Sequence, residues 1–310
     1  MTSDIWFFGT GKFAARCLAE IAPECRPSLV VTSQPTVSGR GLKTKPSPVE
    51  EAAAALGLPL YRSDSVNGDA ELVARLEKET PALILVVDFG QKVKDPYLTA
   101  PRCGCINIHP SLLPRYRGAA PVQRALMNGE LSTGVSLFRL VEKMDAGPIW
   151  IQSESGVGAD ETAGELLERL AVEGSHIFKS RLKYILEGNV VFEPQRDDEA
   201  TIAPKIDKSE TRLLDFSSAQ SLHNKVRALS PLPGAYVMLH QKRVKILKTA
   251  LSSQPSNGAG VISCSGKTVL LGAEDGSIEL KSVQPEGKKE MNAFDWFKGL
   301  RLEKGEKLDD

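Results

Sequence analysis

With 310 residues, 41% of them apolar, the chain is large enough to bury one large core or two cores of ordinary size. Its 39 basic and 39 acidic side chains balance, so composition alone predicts no polyanion partner such as DNA. Five cysteines without paired C-x-x-C spacing indicate neither a disulfide framework nor a metal site, and no leader or membrane-length apolar stretch is evident. We therefore expect a cytoplasmic protein that uses no metal ion and binds no membrane.

Short apolar runs alternate with helical patterns through the first half of the chain. Strands are predicted at 5–8, 29–32, 58–61, 83–87 and 105–108, and helices at 12–21, 48–56, 69–78 and 121–128. Such alternation is typical of an α/β domain with a Rossmann-like, doubly wound and mostly parallel sheet. Catalytic groups are then expected at the carboxyl ends of the strands.

The turn after the first strand, Gly9-Thr10-Gly11-Lys12-Phe13-Ala14, matches the dinucleotide-binding pattern G-x-G-x-x-A. A dinucleotide site also needs an acidic residue at the end of the second strand to hold the ribose hydroxyls. Here that strand ends at Thr32 and is followed by Ser33-Gln34-Pro35. We therefore interpret the glycines as close packing of a helix against a strand.

A pair of polar side chains, Asn107 and His109, stands one residue apart at the end of an apolar run. Residues i and i+2 of an extended strand share a face, so an amide donor lies beside a titratable imidazole. Such a pair suits a carbonyl oxygen that gains negative charge during attack. The structural alternative, a hydrogen-bonded histidine after a buried strand, is weakened by Asn107 and by the Pro/Arg-rich loop that follows.

The second half begins with strand patterns at 134–141 and 148–153 and a long helix at 162–186. A polar run without periodicity at 193–199 is typical of a linker. After a helix at 219–229, short strands are predicted at 235–239, 244–250, 260–263, 268–271 and 278–283, which indicates a small barrel. We therefore predict a catalytic domain at 1–188, a linker at 189–208 and a C-terminal domain at 209–310.

The sequence Asn-Ile-His-Pro-Ser-Leu-Leu-Pro-Arg-Tyr-Arg-Gly-Ala-Ala-Pro, with Met144-Asp145-Ala146-Gly147 downstream, resembles the formyltransferases that use 10-formyltetrahydrofolate. Within this group of enzymes, segments near both ends of the chain resemble the methionyl-tRNA formyltransferases in particular. The resemblance covers essentially the whole chain. It implies an enzyme that moves a formyl group from the co-substrate 10-formyltetrahydrofolate to the α-amine of methionyl initiator tRNA. The product would be N-formylmethionyl-tRNA for translation initiation, and the C-terminal barrel would be OB-like.

The resemblance makes Asp145 the third catalytic residue, beside Asn107 and His109. Taken alone, an aspartate in a Met-Asp-Ala-Gly-Pro turn is ordinary turn chemistry. An ionised carboxylate near His109 would favour the protonated imidazole, and it could accept a proton from the attacking amine through water.

The resemblance also implies a folate site built from two loops. The predicted folate-binding residues are Ser111, Leu112, Leu113, Pro114, Phe89 and Gly90. Asp88 departs from the Ala-Tyr-Gly sequence that is common in this family, and it adds a carboxylate whose effect on folate binding the sequence leaves open.

Two basic regions are candidates for contact with tRNA. Residues 38–46 carry three positive charges and no acid; they form either a solvated loop or, as the resemblance implies, an insertion that reaches the acceptor stem. Residues 201–310 carry 17 basic and 13 acidic side chains, against 22 and 26 in residues 1–200. A cationic strand in the second region could track phosphates. The predicted tRNA-binding residues are Arg40, Lys43, Lys45, Lys242, Arg243 and Lys245.

Two other functions stay open at this point. A formyltransferase acting on a small amino sugar or purine precursor would use the same three catalytic residues, but it would not require a basic C-terminal domain. A non-catalytic tRNA-binding protein would not require an intact Asn107, His109 and Asp145.

Overall fold

The computed structural model describes residues 2–38, 43–300 and 306–309. The chain divides into two compact units. The first consists of Met1–Gly118, Thr133–Ser155 and Leu167–Ile202, and the second of Ala119–Ser132, Gly156–Leu166 and Ala203–Asp310. Two internal segments are thus grouped with the C-terminal part of the chain. The division at 1–188, 189–208 and 209–310 stays a prediction.

The first unit is built on a mostly parallel sheet. Its strands and those of a small separate hairpin are, in chain order, β1 (Thr2–Gly9), β2 (Arg26–Thr32), β3 (Thr36–Ser38), β4 (Lys43–Lys45), β5 (Leu60–Arg62), β6 (Leu83–Val87), β7 (Cys105–His109), β8 (Ser132–Arg139) and β9 (Ile149–Gly156). The main sheet has the order β5-β2-β1-β6-β7-β8-β9, and β3 pairs only with β4. The strands from β5 to β7 are parallel, and β8 runs antiparallel to β7.

Helices lie between and after these strands, and local sequence explains where two of them begin. They are α1 (Lys12–Ile21), α2 (Pro48–Ala55), α3 (Ala70–Glu79), α4 (Pro121–Met127) and α5 (Ala163–Leu186). Ser47 caps α2 by accepting a hydrogen bond from the Glu50 amide, with Pro48 in the first turn. Asp69 caps α3 through the Leu72 amide in the same way. The predicted α/β fold class is confirmed.

The core of this unit explains why the strands are recognisable in the sequence. Trp6, Phe7 and Phe8 follow one another in β1, and all three are fully buried. Consecutive buried residues mean that both faces of the sheet are covered, as parallel sheets require. The strand order reverses between β1 and β6, and the carboxyl ends of parallel strands at such a point form the usual ligand crevice.

The second unit contains an antiparallel sheet covered by helices. Its further elements are α6 (Ala219–Leu229), β10 (Ala235–Leu239), β11 (Lys242–Ser252), β12 (Val261–Ser265), β13 (Thr268–Gly272), β14 (Ser277–Pro285), β15 (Met291–Asn292), α7 (Ala293–Leu300) and β16 (Glu306–Lys307). The strand order is β10-β11-β14-β13-β12-β16, with β15 beside β14. Val226, Ile246 and Val283 are fully buried in its core. The prediction of a smaller β domain after the α/β domain is confirmed.

Some elements were not predicted from the sequence. The hairpin of β3 and β4, the short strands β15 and β16 and the helix α7 are each too short or too irregular to show a clear period. Among the helices of the described residues, none combines the length and apolar character that crossing a membrane would require.

Candidate functional site

The two polar residues of β7 stand at the carboxyl end of the sheet. Asn107 pairs with Phe138 of the antiparallel neighbour β8, and His109 pairs with Ser136. The His109 residue is 6% exposed, whereas Asn107 is partly exposed. Because the two are separated by one residue in an extended strand, both side chains project to the same side of the sheet.

The His109 ring is held from two sides. Its Nε2 lies 3.0 Å from the carbonyl oxygen of Tyr116. A carbonyl oxygen only accepts, so Nε2 carries the proton of this hydrogen bond. The ring also meets Phe138 edge-on, with centroids 6.3 Å apart. These contacts orient the ring and leave Nδ1 as the nitrogen without a hydrogen bond in the described part of the chain.

Asp145 reaches this nitrogen from the turn between β8 and β9. Its Oδ2 lies 3.9 Å from the Nδ1 of His109, which is too far for a direct hydrogen bond but close for opposite charges. The Asp145 side chain is 14% exposed, and its Oδ2 accepts a hydrogen bond of 2.8 Å from the backbone N–H of Gly118. The fold therefore brings together an imidazole and an oriented carboxylate that are distant in the sequence.

The Asn107 amide completes the group. No hydrogen bond involves its side chain within residues 2–38, 43–300 and 306–309, and the residue is partly exposed. Its N–H donors are therefore available to a bound molecule. An amide donor, an imidazole and a carboxylate near the carboxyl end of one strand can stabilise a negatively charged oxygen and move a proton.

The loop after His109 is fixed by a hydrogen bond within the loop and by one to the neighbouring strand β8. Ser111 is fully buried, and its hydroxyl donates to the carbonyl oxygen of Arg115 at 2.8 Å. The buried Leu113 donates its backbone N–H to the hydroxyl of Ser136 at 3.0 Å. These two residues hold the shape of the loop. The partly exposed residues of the predicted folate segment are Leu112 and Pro114.

The second predicted folate loop follows β6, the parallel neighbour of β7. Phe89 is partly buried, and its ring centroid lies 5.4 Å from that of Phe8. Gly90 is exposed, and a Cβ atom built on it would meet no other heavy atom within 4 Å. Phe89 thus anchors this loop to the core, while Gly90 borders open space.

The glycine turn after β1 is closed by Asp88, which directly follows β6. The Asp88 carbonyl oxygen accepts the backbone N–H groups of Thr10 at 3.1 Å and Gly11 at 3.3 Å. Its carboxylate faces the first turn of α1, near the backbone N–H groups of Phe13 and Ala14. A Cβ atom on Gly11 would lie 1.9 Å from the Asp88 Oδ2, so a larger residue there would require the Asp88 carboxylate to move. An internal carboxylate therefore lies beside the amides that would hold a pyrophosphate.

The charge of Asp88 strengthens this conclusion. Although the residue as a whole is exposed, its carboxyl group packs against the glycine turn, and this desolvation raises the pKa of Asp88 to about 6. Above that pH the carboxylate is ionised and repels a phosphate. We therefore expect no saturable binding of NAD or NADP at about 1 mM ligand and pH 8, measured by titration calorimetry. A dissociation constant in the micromolar range would contradict this and favour an oxidoreductase.

The basic residues predicted to bind tRNA have different settings. Arg40 lies outside the described residues. Lys43 and Lys45 begin and end β4, and the Lys45 side chain is exposed. The tRNA-binding role of Lys43 and Lys45 therefore stays a prediction.

The cationic strand in the second unit is β11. Lys242 is exposed at its start. The Arg243 guanidinium lies 3.8 Å from the centroid of the Tyr236 ring, and the Lys245 ammonium donates to the carbonyl oxygen of Pro233 at 2.7 Å. Desolvation lowers the pKa of Lys245. Because Arg243 and Lys245 alternate with the buried Val244, they form an outward cationic face.

Two residues that were not predicted from the sequence, Gln195 and Arg117, lie beside Asp145 or its hydrogen-bond partner Gly118. The Gln195 amide donates to the carbonyl oxygen of Asp145 at 2.8 Å. Arg117, 4% exposed, donates to Gln195 and directly precedes Gly118. Gln195 lies in the polar run interpreted as a linker, so no periodicity marked it. Among the described residues no cluster of three or more His, Cys, Asp or Glu side chains could hold a metal ion.

Comparison with protein families assigns both parts of the chain. Residues 4–182 match the model described as "Formyl transferase", and residues 205–301 match "Formyl transferase, C-terminal domain". The methionyl-tRNA formyltransferase of Halorhodospira halophila is 38% identical over 309 residues, which cover 99% of either chain. That of Kosmotoga olearia is 35% identical over 308 residues, covering 98% of this chain and 99% of the relative.

Solved structures with low sequence identity share the fold. A sugar 3N-formyl transferase crystallised in the presence of dTDP and 5-N-formyl-THF has a TM-score of 0.66 and 19% identity, covering 93% of this chain and all of its own. HypX from Aquifex aeolicus in complex with tetrahydrofolic acid has a TM-score of 0.65 and 18% identity; the match covers 99% of this chain and 50% of HypX.

Proposed function

The chain belongs to the methionyl-tRNA formyltransferase family, and we propose that Asn107, His109 and Asp145 are the catalytic residues with which it formylates methionyl-tRNA. The formyl donor is 10-formyltetrahydrofolate, and we infer that the acceptor is the α-amine of methionine on initiator tRNA. The product, N-formylmethionyl-tRNA, starts translation. A cytoplasmic location follows from this substrate, and five free cysteines are compatible with a reducing compartment.

The residues at the carboxyl ends of β6 and β7 are suited to a bound formyl donor. The Asn107 amide makes no hydrogen bond within the described ranges, and Gly90 borders open space. Leu112 and Pro114 add partly exposed apolar surface on the adjoining loop. When bound, 10-formyltetrahydrofolate supplies the formyl group, and these residues would hold the folate molecule. We propose that Ser111 and Leu113 maintain the shape of the loop on one side of this folate site. Phe89 and Gly90 would form its other side.

The charges of the site fit attack by an amine on a formyl carbon. Asn107 would donate to the formyl oxygen as negative charge builds there. Nδ1 of His109, the ring nitrogen not engaged by Tyr116, would be the second donor. The Asp145 carboxylate lies 3.9 Å from this nitrogen, a separation that a water molecule can bridge. Through that water the carboxylate would take the proton that the amine releases, and that proton would pass to N10 of the departing tetrahydrofolate as the bond between N10 and the formyl carbon breaks.

The observation that carries this proposal is the approach of Asp145 to His109, together with the Asn107 amide, which makes no hydrogen bond among the described residues. It disfavours a non-catalytic tRNA-binding protein, which would have no use for an oriented carboxylate beside an imidazole. A small amino sugar or purine precursor as acceptor is disfavoured by the full-length match to methionyl-tRNA formyltransferases.

Formyl transfer to different acceptors tests the proposed function. The protein would be incubated with 10-formyltetrahydrofolate and with methionyl initiator tRNA, methionyl elongator tRNA, free methionine or an amino sugar nucleotide. We expect rapid formylation of the charged initiator tRNA alone. Formylation of the sugar nucleotide at a comparable kcat/KM would establish the small-molecule alternative, and no transfer to any acceptor would favour the non-catalytic one.

We further propose that the cationic face of β11 contacts tRNA phosphates, together with the Arg40, Lys43 and Lys45 segment. Lys242 is exposed, and the Arg243 guanidinium is stacked on the Tyr236 ring. A guanidinium held over an aromatic ring provides both a charge and a flat surface, which suit an unpaired acceptor end.

The salt dependence of tRNA binding checks this surface. Binding should weaken with salt at a log–log slope of about −0.7 to −0.9 for each neutralised phosphate. The triple substitution Lys242→Ala, Arg243→Ala and Lys245→Ala should make the slope shallower by roughly two to three times this contribution per phosphate. The matched control is Lys78→Ala, Arg181→Ala and Lys183→Ala, which removes the same charges from α3 and α5. An equal change in both triple variants would show that only net charge matters.

A further inference from the structure

The Asp145 turn has an unfavourable backbone conformation that needs support. Asp145 has φ +48°, in the left-handed region that non-glycine residues rarely occupy. Such residues are strained and persist where the surroundings hold them. Its carboxylate is oriented by the Gly118 amide, but this hydrogen bond alone does not fix the backbone of the turn.

The Gln195 side chain supplies that support. Its Nε2 donates to the carbonyl oxygens of Asp145 at 2.8 Å and Gly147 at 2.7 Å, so it clamps the turn on both sides of Ala146. Its Oε1 accepts from the Nε of Arg117 at 2.9 Å and from Nη2 at 2.7 Å. Both ends of the amide are therefore engaged, and the orientation of the group is determined by four hydrogen bonds.

Arg117 connects the same amide to the loop that orients the carboxylate. It is 4% exposed, and its Nη1 donates to the Oδ1 of Asp197 at 2.8 Å. Asp197 also accepts from the Lys143 ammonium at 2.7 Å, and these two cations lower the pKa of Asp197. Because Gly118 follows Arg117 directly, fixing Arg117 also fixes the amide to which Asp145 is bound.

From these contacts we propose that Gln195 is a positioning residue for catalysis, which acts through Asp145 and is held in place by Arg117. This inference rests on the proposed function, in which Asp145 faces His109. Gln195 touches no reacting group. It sets the backbone of Asp145 and, through Arg117, the partner of its carboxylate, and therefore sets the distance between the carboxylate and the imidazole.

The test compares Gln195→Met, which keeps the size but removes the amide, with Gln195→Glu, which keeps an acceptor for Arg117 but removes both donors. We expect kcat to fall roughly 10- to 100-fold in both variants, as for a slightly misplaced reacting group. KM for both substrates should change by less than about twofold. Gln34→Met, at an exposed site, is the matched control. Wild-type kcat in Gln195→Glu would overturn the role of the donors.

A double substitution separates positioning from a general structural effect. In an Asp145→Asn background, Gln195→Met should cause little further loss, because the group it positions is already changed. An undiminished additional loss would overturn the inference that Gln195 acts through Asp145.

Hydrogen exchange gives a readout that does not depend on activity. The Gly118 amide should be protected in the wild type by its bond to Asp145 and should exchange faster in Gln195→Met, but not in Gln34→Met. If the wild type transfers no formyl group, the proposed function fails, yet this comparison still decides whether Gln195 holds the turn. Unchanged Gly118 protection in Gln195→Met would overturn the positioning role.

Discussion

Replacing His109 by alanine should lower turnover by roughly 10²–10⁴-fold, the range expected for loss of a group that transfers or donates a proton in the transition state. The substitution removes the proposed donor to the reacting oxygen and leaves Asp145 without the imidazole that lies 3.9 Å away. Folate affinity should change little, because the ring is packed against Tyr116 and Phe138. Single-turnover formyl transfer and folate binding would be measured separately.

The control for His109→Ala is His176→Ala, since His176 is exposed on α5 and is not part of the site. Because His109 is buried, the folded state of each variant would be checked by thermal unfolding. A folded His109→Ala protein with near-normal turnover would show that the catalytic group has been assigned wrongly.

The second large effect is expected at Asn107. Asn107→Ala should lower turnover by about 10²–10³-fold, as for the loss of one donor to a developing oxyanion. Asn107 makes no side-chain hydrogen bond within the part of the chain that is described, so stability should be almost unchanged. The loss should therefore fall on kcat, with little change in KM for folate or tRNA.

Asn189→Ala is a suitable comparison for Asn107→Ala, because Asn189 is exposed after the end of α5. Equal kcat in the wild type and Asn107→Ala would mean that another group stabilises the oxygen. A raised KM at unchanged kcat would instead assign Asn107 to ground-state binding.

Much of the first unit was predictable because its sheet is buried on both faces. The apolar runs around Trp6–Phe8 and 83–87 indicated strands without any knowledge of their neighbours. The pairing of Asn107 with His109 was also local, since the two-residue repeat of a strand places both on one side. The short β15, α7 and β16 gave no such signal, because a period needs several turns or alternations to show.

The contact that Asp88 makes could not be predicted from its neighbours in the sequence. From the sequence, Asp88 was an added carboxylate whose effect on folate binding was open. The glycine turn matched a dinucleotide-binding pattern. Only the adjacency of β6 and β1 in the sheet places this carboxylate on the first turn of α1. Strand order depends on non-local pairing, so the closure of the glycine turn could not be read from either segment alone.

The residue types available for chemistry can be read from the sequence: an amide and an imidazole on one strand, an aspartate in a turn, and cations on a second β domain. Their distances depend on how the chain folds. The 3.9 Å approach of Asp145 to His109 and the hold of Gln195 on Asp145 join segments far apart in the chain. The physical reason is that periodicity reports the burial of one segment, whereas a hydrogen bond between two segments depends on where the packed core places both.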